Sequence, residues 1–145
     1  MSVSCARERF TSQTVDQDKT GIAFGSKAGF LLQNGAVRAP DAAWARLSRL
    51  RALSCREKEQ FIPLCPDFLI EVASPSDRLS GLHEKMTEFR DAELPLGWLI
   101  LPKTKTVEIY TPAEIRTLES PPSISADPLL PGFQLDLSLI WEAPF

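Results

Sequence analysis

The chain has 145 residues, 43% hydrophobic and 24% charged, an ordinary globular balance that supports a single domain with one sizeable core. A formal net charge of −3 gives no global drive toward nucleic acid, a lone histidine excludes multi-His metal sites, and three cysteines without C-x-x-C spacing suggest neither a disulfide framework nor a zinc site. The opening MSVSCARERF is too polar for a secretory leader and no window approaches the roughly 18 apolar residues of a membrane span, so a soluble, cytoplasmic protein with reduced thiols is expected.

Residues 1–20 are polar and support at most a short helix ending near Lys19 and Gly21. Asn34-Gly35 is a strong hairpin signal, because both central positions of a type I′ turn need positive φ. It predicts a strand over Ala28 to Leu32 paired with one running from Ala36 toward Ala45, with Pro40 at a bulge, an edge or a break in pairing. Asp41 follows directly, where pairing is already interrupted. Residues 46–61 carry a weak apolar stripe through Leu47, Leu50 and Leu53 and read as a helix or helical loop. Their basic residues Arg46, Arg49, Arg51, Arg56 and Lys58 suit a solvated surface better than a phosphate track, since charge runs usually are solvated.

Phe68 to Ala73, an apolar run between Pro66 and Pro75, predicts a buried strand. Glu71 lies inside it, and a buried carboxylate costs roughly several kcal/mol unless something positive or hydrogen-bonding answers it. Ser74-Pro75-Ser76-Asp77 fits a capping box with proline at the first helical position, so a helix starts there or within a turn of it. Leu79, Leu82, Met86 and Phe89 give that helix one apolar stripe, and Lys85 sits at the stripe's flank, able to run its stem along apolar surface. Leu96 to Leu101 and Val107 to Tyr110 predict a second hairpin, with Trp98 and Tyr110 as core or sheet-face aromatics. Residues 111–128 read as a surface connection with a short strand over Ile115 to Leu118, and the apolar end LLPGFQLDLSLIW as a turn at Pro131-Gly132 that docks back on the core.

Asp41, Glu71 and Lys85 thus occur in the order carboxylate, carboxylate, lysine. Adjacent strands lie about 4.8 Å apart, so carboxylates on neighbouring strands can converge on one divalent ion, held by oxygens and hence a hard ion such as Mg²⁺ or Mn²⁺. Such an ion polarises a phosphodiester and acidifies a bound water, while a lysine orients the water or stabilises charge on phosphorus. Taken alone, Glu71 reads equally as a buried glutamate paired with arginine and Lys85 as a solvated helix lysine. Asp67 is set apart: four residues before Glu71 on an extended strand it is roughly 13 Å away, and it reads as a cap or turn at the strand entrance.

PDAAW at Pro40 to Trp44, CPDFLIEVASPSDRL at Cys65 to Leu79 and KMTEF at Lys85 to Phe89 resemble blocks of the Uma-type restriction endonuclease family, a branch of the PD-(D/E)XK nucleases. GWLILP at Gly97 to Pro102, VEIY at Val107 to Tyr110 and LPGFQLDL at Leu130 to Leu137 continue the likeness in order, from about Gly21 to Trp141. The resemblance implies a restriction-endonuclease-like α/β fold, a mixed central sheet flanked by helices, with a metal-dependent phosphodiesterase site. Asp41 and Glu71 match the metal ligands and Lys85 the lysine moved onto the following helix, since Ala73 stands where the E-x-K pattern would have it. Glu8 is the one candidate for a further N-terminal acid of the family, whose N-terminal region is usually longer. Leu101 replaces a frequent aspartate, and Glu93-Leu94-Pro95 a glycine-containing turn.

Two functions follow as expectations. One is a Mg²⁺- or Mn²⁺-dependent endonuclease hydrolysing DNA phosphodiester bonds through Asp41, Glu71 and Lys85. The other is a truncated, catalytically silent module of the same fold that binds DNA or a protein partner. The sequence leaves the oligomeric state open, a homodimer included.

Overall fold

In the computed structural model, which describes residues 20–53 and 61–142, a six-stranded mixed sheet carries the molecule. It is built from β1 (Gly21–Phe24), β4 (Ala42–Arg46), β5 (Phe68–Val72), β6 (Leu96–Leu101), β7 (Thr106–Tyr110) and β8 (Ile115–Glu119), in the order β1-β4-β5-β6-β7-β8. Among the described strands of this sheet β5 and β6 are the one parallel pair, and α2 (Leu79–Asp91) is the crossover that a parallel pair requires. Two small antiparallel ribbons flank the sheet, β2 (Phe30–Leu31) with β3 (Val37–Arg38) and β9 (Ser123–Ser125) with β10 (Gln134–Asp136). The short helices α1 (Leu47–Arg51) and α3 (Ser138–Glu142) complete the described elements.

The period-two pleat gives the sheet two apolar faces. Ala43, Ala45, Leu69, Leu99, Leu101 and Tyr110 point toward α2 and pack with Met86, Phe89 and Leu94. Trp44, Phe68, Trp98, Ile100 and Val107 point the other way, and Leu130, Leu137 and Phe133 of the C-terminal segment cover them. Both faces are buried, so β5 and β6 read as apolar runs without alternation. Glu71 therefore interrupts the α2 face, not a solvent face.

Helix α2 approaches β6 closely because Gly97 has no side chain: a Cβ there would lie 2.7 Å from Leu94 Cδ2 and 3.0 Å from Met86 Cε. The helix ends in a Schellman motif, with Leu94 N–H donating to Phe89 O (3.1 Å) and Glu93 N–H to Arg90 O (3.0 Å). Glu93 takes the left-handed position at φ 74°, a conformation that glycine adopts without strain.

Several expectations need amendment. The Asn34-Gly35 hairpin forms, but with Leu32 and Ala36 closing a three-residue loop in which only Gly35 has positive φ (91°), so it is not a type I′ turn. The strand expected from Ala36 to Ala45 is split at Ala39-Pro40-Asp41: β3 closes the ribbon and β4 joins the main sheet, where it pairs with β1, a strand the sequence pattern did not reveal. Ser74 and Asp77 do exchange hydrogen bonds, Asp77 Oδ2 accepting from Ser74 N (2.8 Å) and Oγ (3.0 Å), yet they close a separate turn. The helix starts at Leu79 with no side-chain cap, and Leu79 itself is 50% exposed, so the buried stripe begins at Leu82. Helix α1 is shorter than the stretch expected over residues 46–61, and part of that stretch, the N-terminal helix, Glu8, Cys5 and Cys55 lie outside the described residues. Among the described residues no helix is long and apolar enough to cross a membrane.

Candidate active site

The ladder between β4 and β5 ends at Ala42 opposite Ile70, which carries Asp41 to the place facing Glu71 one step further on. There the chain no longer pairs through its backbone, and the Asp41 carboxylate takes over, Oδ2 accepting a hydrogen bond from Val72 N–H at 2.7 Å. Pro40, buried and unable to donate to a ladder, enforces that break. Glu71 is 4% exposed on the α2 side of β5. Lys85, next to Met86 and one turn before Phe89, both of which close onto the core, reaches down from α2 and places Nζ 2.7 Å from Glu71 Oε2 and 3.2 Å from Ala39 O. The three residues singled out by order and spacing are thus neighbours in space.

The ammonium meets Glu71 Oε2 as an ion pair, but at an angle that leaves this buried oxygen without a directed hydrogen bond. Burial dominates the carboxyl's chemistry, raising its pKa to about 7; Lys85 pulls the other way, and the neighbouring Asp41 carboxylate pushes it up again. Near neutral pH Glu71 therefore stands between its protonated and ionised forms, and an added positive charge would favour the latter. The donor set suits a small hard cation. Mg²⁺ is held by one or two carboxylates together with waters and substrate phosphate oxygens, and Asp41 is exposed while Glu71 Oε2 lacks a directed donor. Among the described residues no three His, Cys, Asp or Glu side chains gather to form a fuller ligand cage.

Asp67 does not join this group. It is 5% exposed, accepts a hydrogen bond from Arg46 N–H (2.8 Å) and pairs with Arg49 (3.0 Å), so it ties the start of β5 to the end of β4 and to α1. Of the basic residues near the start of 46–58, Arg46 stacks over Trp44 and Arg49 is spent on Asp67. Cys65 is buried and free, its thiol pushed up to about 12 by burial, and is inert at neutral pH.

A second polar cluster lies on the same sheet face. The register places Leu99 beside Glu71 and Glu108 beside Leu99; Glu108 meets His83 Nε2 at 3.0 Å and accepts from Tyr110 Oη at 2.8 Å. Fully buried Leu99 separates the two clusters. Sequence reasoning left His83 without a partner, because the partner comes from a strand two elements later. On the solvent side of α2 an open cavity of about 880 Å³ is lined by Arg38, Ala39, His83, Lys85 and Glu88. Lys85 thus forms part of a surface that ligands can reach.

The mixed sheet with its helical crossover between β5 and β6 places the described residues in the α/β class. A solved structure from Anabaena variabilis ATCC 29413, described as a "putative nuclease belonging to DUF820", superimposes with a TM-score of 0.73 at 20% identity, covering 96% of this chain and 75% of that one. The chain belongs to the Uma2 family, described as "Putative restriction endonuclease", whose sequence model matches residues 6–138. Among curated proteins none matches.

Proposed function

We propose that the protein is a metal-dependent endonuclease that hydrolyses DNA phosphodiester bonds, with Asp41 and Glu71 as ligands of Mg²⁺ or Mn²⁺ and Lys85 as the group that orients the attacking water. The observation that carries this reading is the meeting of a buried, incompletely satisfied carboxylate, an exposed second carboxylate and a lysine in a chain of this family. A bound divalent ion would supply Lewis-acid polarisation of the phosphate and acidify a water. The chain's own residues do the rest. Asp41, an exposed carboxylate fixed through Oδ2 by Val72 N–H, keeps its other oxygen for a ligand. A positive charge beside Glu71 would favour its ionised form, with the proton passing to solvent. Lys85, at the edge of the cavity beside Glu71, would orient the attacking water and stabilise the charge developing on the scissile phosphate.

A second reading, a silent module that binds DNA or protein, draws on one observation: Lys85 already neutralises Glu71, and no third acid joins them among the described residues. Plasmid cleavage separates the two. Supercoiled DNA incubated with the protein and Mg²⁺ or Mn²⁺ is expected to be nicked or linearised, and the Glu71→Ala protein to leave it intact. Equal cleavage by both proteins, or none by either with both metals, rejects the enzymatic reading. Calorimetric Mn²⁺ binding that disappears in Asp41→Ala and Glu71→Ala is expected of the enzyme and not of the silent module.

A further inference from the structure

Between the β2–β3 pairing at Arg38 and the bond from Val72 N–H to Asp41, the segment Ala39-Pro40 makes no strand pairing, although Pro40 is buried. The chain leaves the two-residue strand β3, passes through exposed Ala39 and ends at an exposed carboxylate. Two side chains of α2 grip it from the other side. Lys85 takes Ala39 O, and one turn later Glu88 takes the loop and the second strand of the preceding ribbon, Oε1 accepting from Arg38 Nε at 2.6 Å and Oε2 from Asn34 Nδ2 at 2.7 Å. Residues three apart lie on the same helix face, so Lys85 and Glu88 act as adjacent braces on one strap. Both Glu88 oxygens are thus engaged, and these two bonds together hold its carboxyl below the usual range. Exposed ion pairs are individually weak, but here one carboxylate closes a fork between two donors four residues apart, one in the ribbon's loop and one on its second strand.

We infer that Glu88 is a positioning residue for the site: by clamping the β2–β3 ribbon to α2 it sets where Asp41 stands relative to Glu71. This rests on the proposed metal site only for its consequence, not for its geometry. Supporting groups around metal ligands commonly change affinity by about 10-fold to 100-fold when removed. The structure supplies a reporter that needs no metal. Val72 N–H lies beyond the β4–β5 ladder and has the Asp41 carboxylate as its acceptor, so its hydrogen exchange follows Asp41's position.

The test uses the full chain, ¹⁵N-labelled and in EDTA, as wild type, Glu88→Ala, Arg38→Ala, the double variant and Asp41→Ala. Val72 exchange is expected to quicken about 10-fold in Glu88→Ala, to a lesser extent in Arg38→Ala, and no further in the double variant than in Glu88→Ala, because the two act through one clamp. The Leu69 and Leu99 amides, inside the sheet, should keep their protection. Glu88→Gln, which retains one acceptor oxygen, should recover part of the effect. In a parallel titration Mn²⁺ should bind Glu88→Ala about 10-fold more weakly than wild type. Unchanged Val72 exchange in both Glu88→Ala and Arg38→Ala overturns the inference, as does loss of Leu69 and Leu99 protection in step with Val72, which would make Glu88 a general stabiliser. If wild type binds no Mn²⁺, the metal site falls while Val72 exchange still decides the clamp.

Discussion

Replacing Glu71 by glutamine removes the charge of a nearly fully buried group and keeps its shape, which turns its burial into a measurable pH dependence. In the folded chain Glu71 titrates near 7, against 4.5 for an unperturbed glutamate, with desolvation as the largest cause. The folded state thus holds this proton more tightly than the unfolded one. Its stabilising contribution is complete below about pH 4.5, declines as pH rises toward 7, and is gone above. Each pH unit between the two values is worth about 1.4 kcal/mol, so ionising Glu71 in the fold costs at most about 3–4 kcal/mol, somewhat less because Lys85 beside it is partly in water. Urea unfolding of wild type and Glu71→Gln in EDTA should therefore give similar stabilities near pH 4.5 and a gap that opens in favour of the glutamine variant up to pH 7, then stays level. Adding Mn²⁺ at pH 8 should narrow the gap by stabilising wild type alone. Parallel stability curves from pH 4.5 to 8 would refute the claim that burial governs this carboxyl.

The same unfolding assay checks four other expectations. Glu93→Gly should raise stability by about 1 kcal/mol, since the C-terminal turn of α2 holds residue 93 at a φ that costs a side-chain-bearing residue about that much. Gly97→Ala should lower it by about 1–3 kcal/mol, because the new methyl meets Leu94 and Met86 at overpacked distances. Met86→Ala should cost about 2–5 kcal/mol, whereas Leu79→Ala, half exposed at the start of the helix, should stay within about 0.5 kcal/mol. Asp67→Ala should cost about 1–3 kcal/mol by stranding Arg46 N–H and Arg49, and leave Mn²⁺ affinity in calorimetry unchanged.

Local chemistry made much of this fold legible and long-range pairing hid the rest. Phe68 to Val72, Leu96 to Leu101 and Thr106 to Tyr110 are strongly apolar runs between turn residues, and each forms a strand close to the expected place. Strand β1 went unseen because Gly21-Ile22-Ala23-Phe24 has no strong β pattern; it becomes a strand through pairing with β4, and Gly21 is required where a Cβ would collide with the Trp44 ring at 2.3 Å. The cap motif at Ser74 to Asp77 makes one of the two capping-box bonds, Asp77 Oδ2 accepting from Ser74 N–H, and makes it in a turn where Asp77 N–H bonds to Ser74 O, since a serine and an acid three residues apart close a turn as readily as a helix. At the site, the order of Asp41, Glu71 and Lys85 was readable because one residue type in each stood out against its surroundings. Glu88 was not: a glutamate on an exposed helix face looks like any solvated charge until the ribbon carrying Asn34 and Arg38 is seen to fold against it.

The placement of the lysine has a structural consequence of its own. Two residues after Glu71 on the same face stands Ala73, its N–H engaged with Ile100 O and its methyl packed against the core beside Leu82. The backbone of a strand-borne lysine there would be fixed by the ladder; that of Lys85 is placed by how α2 seats on β6. That seat depends on the absence of a side chain at Gly97 and on Met86 and Phe89, both fully buried directly beneath the turn that carries Lys85. A shift of α2 thus moves the ammonium relative to Glu71 without touching either residue. In Gly97→Ala the loss of stability should accordingly be accompanied by a rise in the Glu71 pKa above its wild-type value, because Lys85 is the largest influence lowering it. Carboxyl ¹³C shifts of Glu71 followed against pH measure this directly. An unshifted titration in a destabilised Gly97→Ala protein would show that the helix adjusts its seat while keeping Lys85 in place.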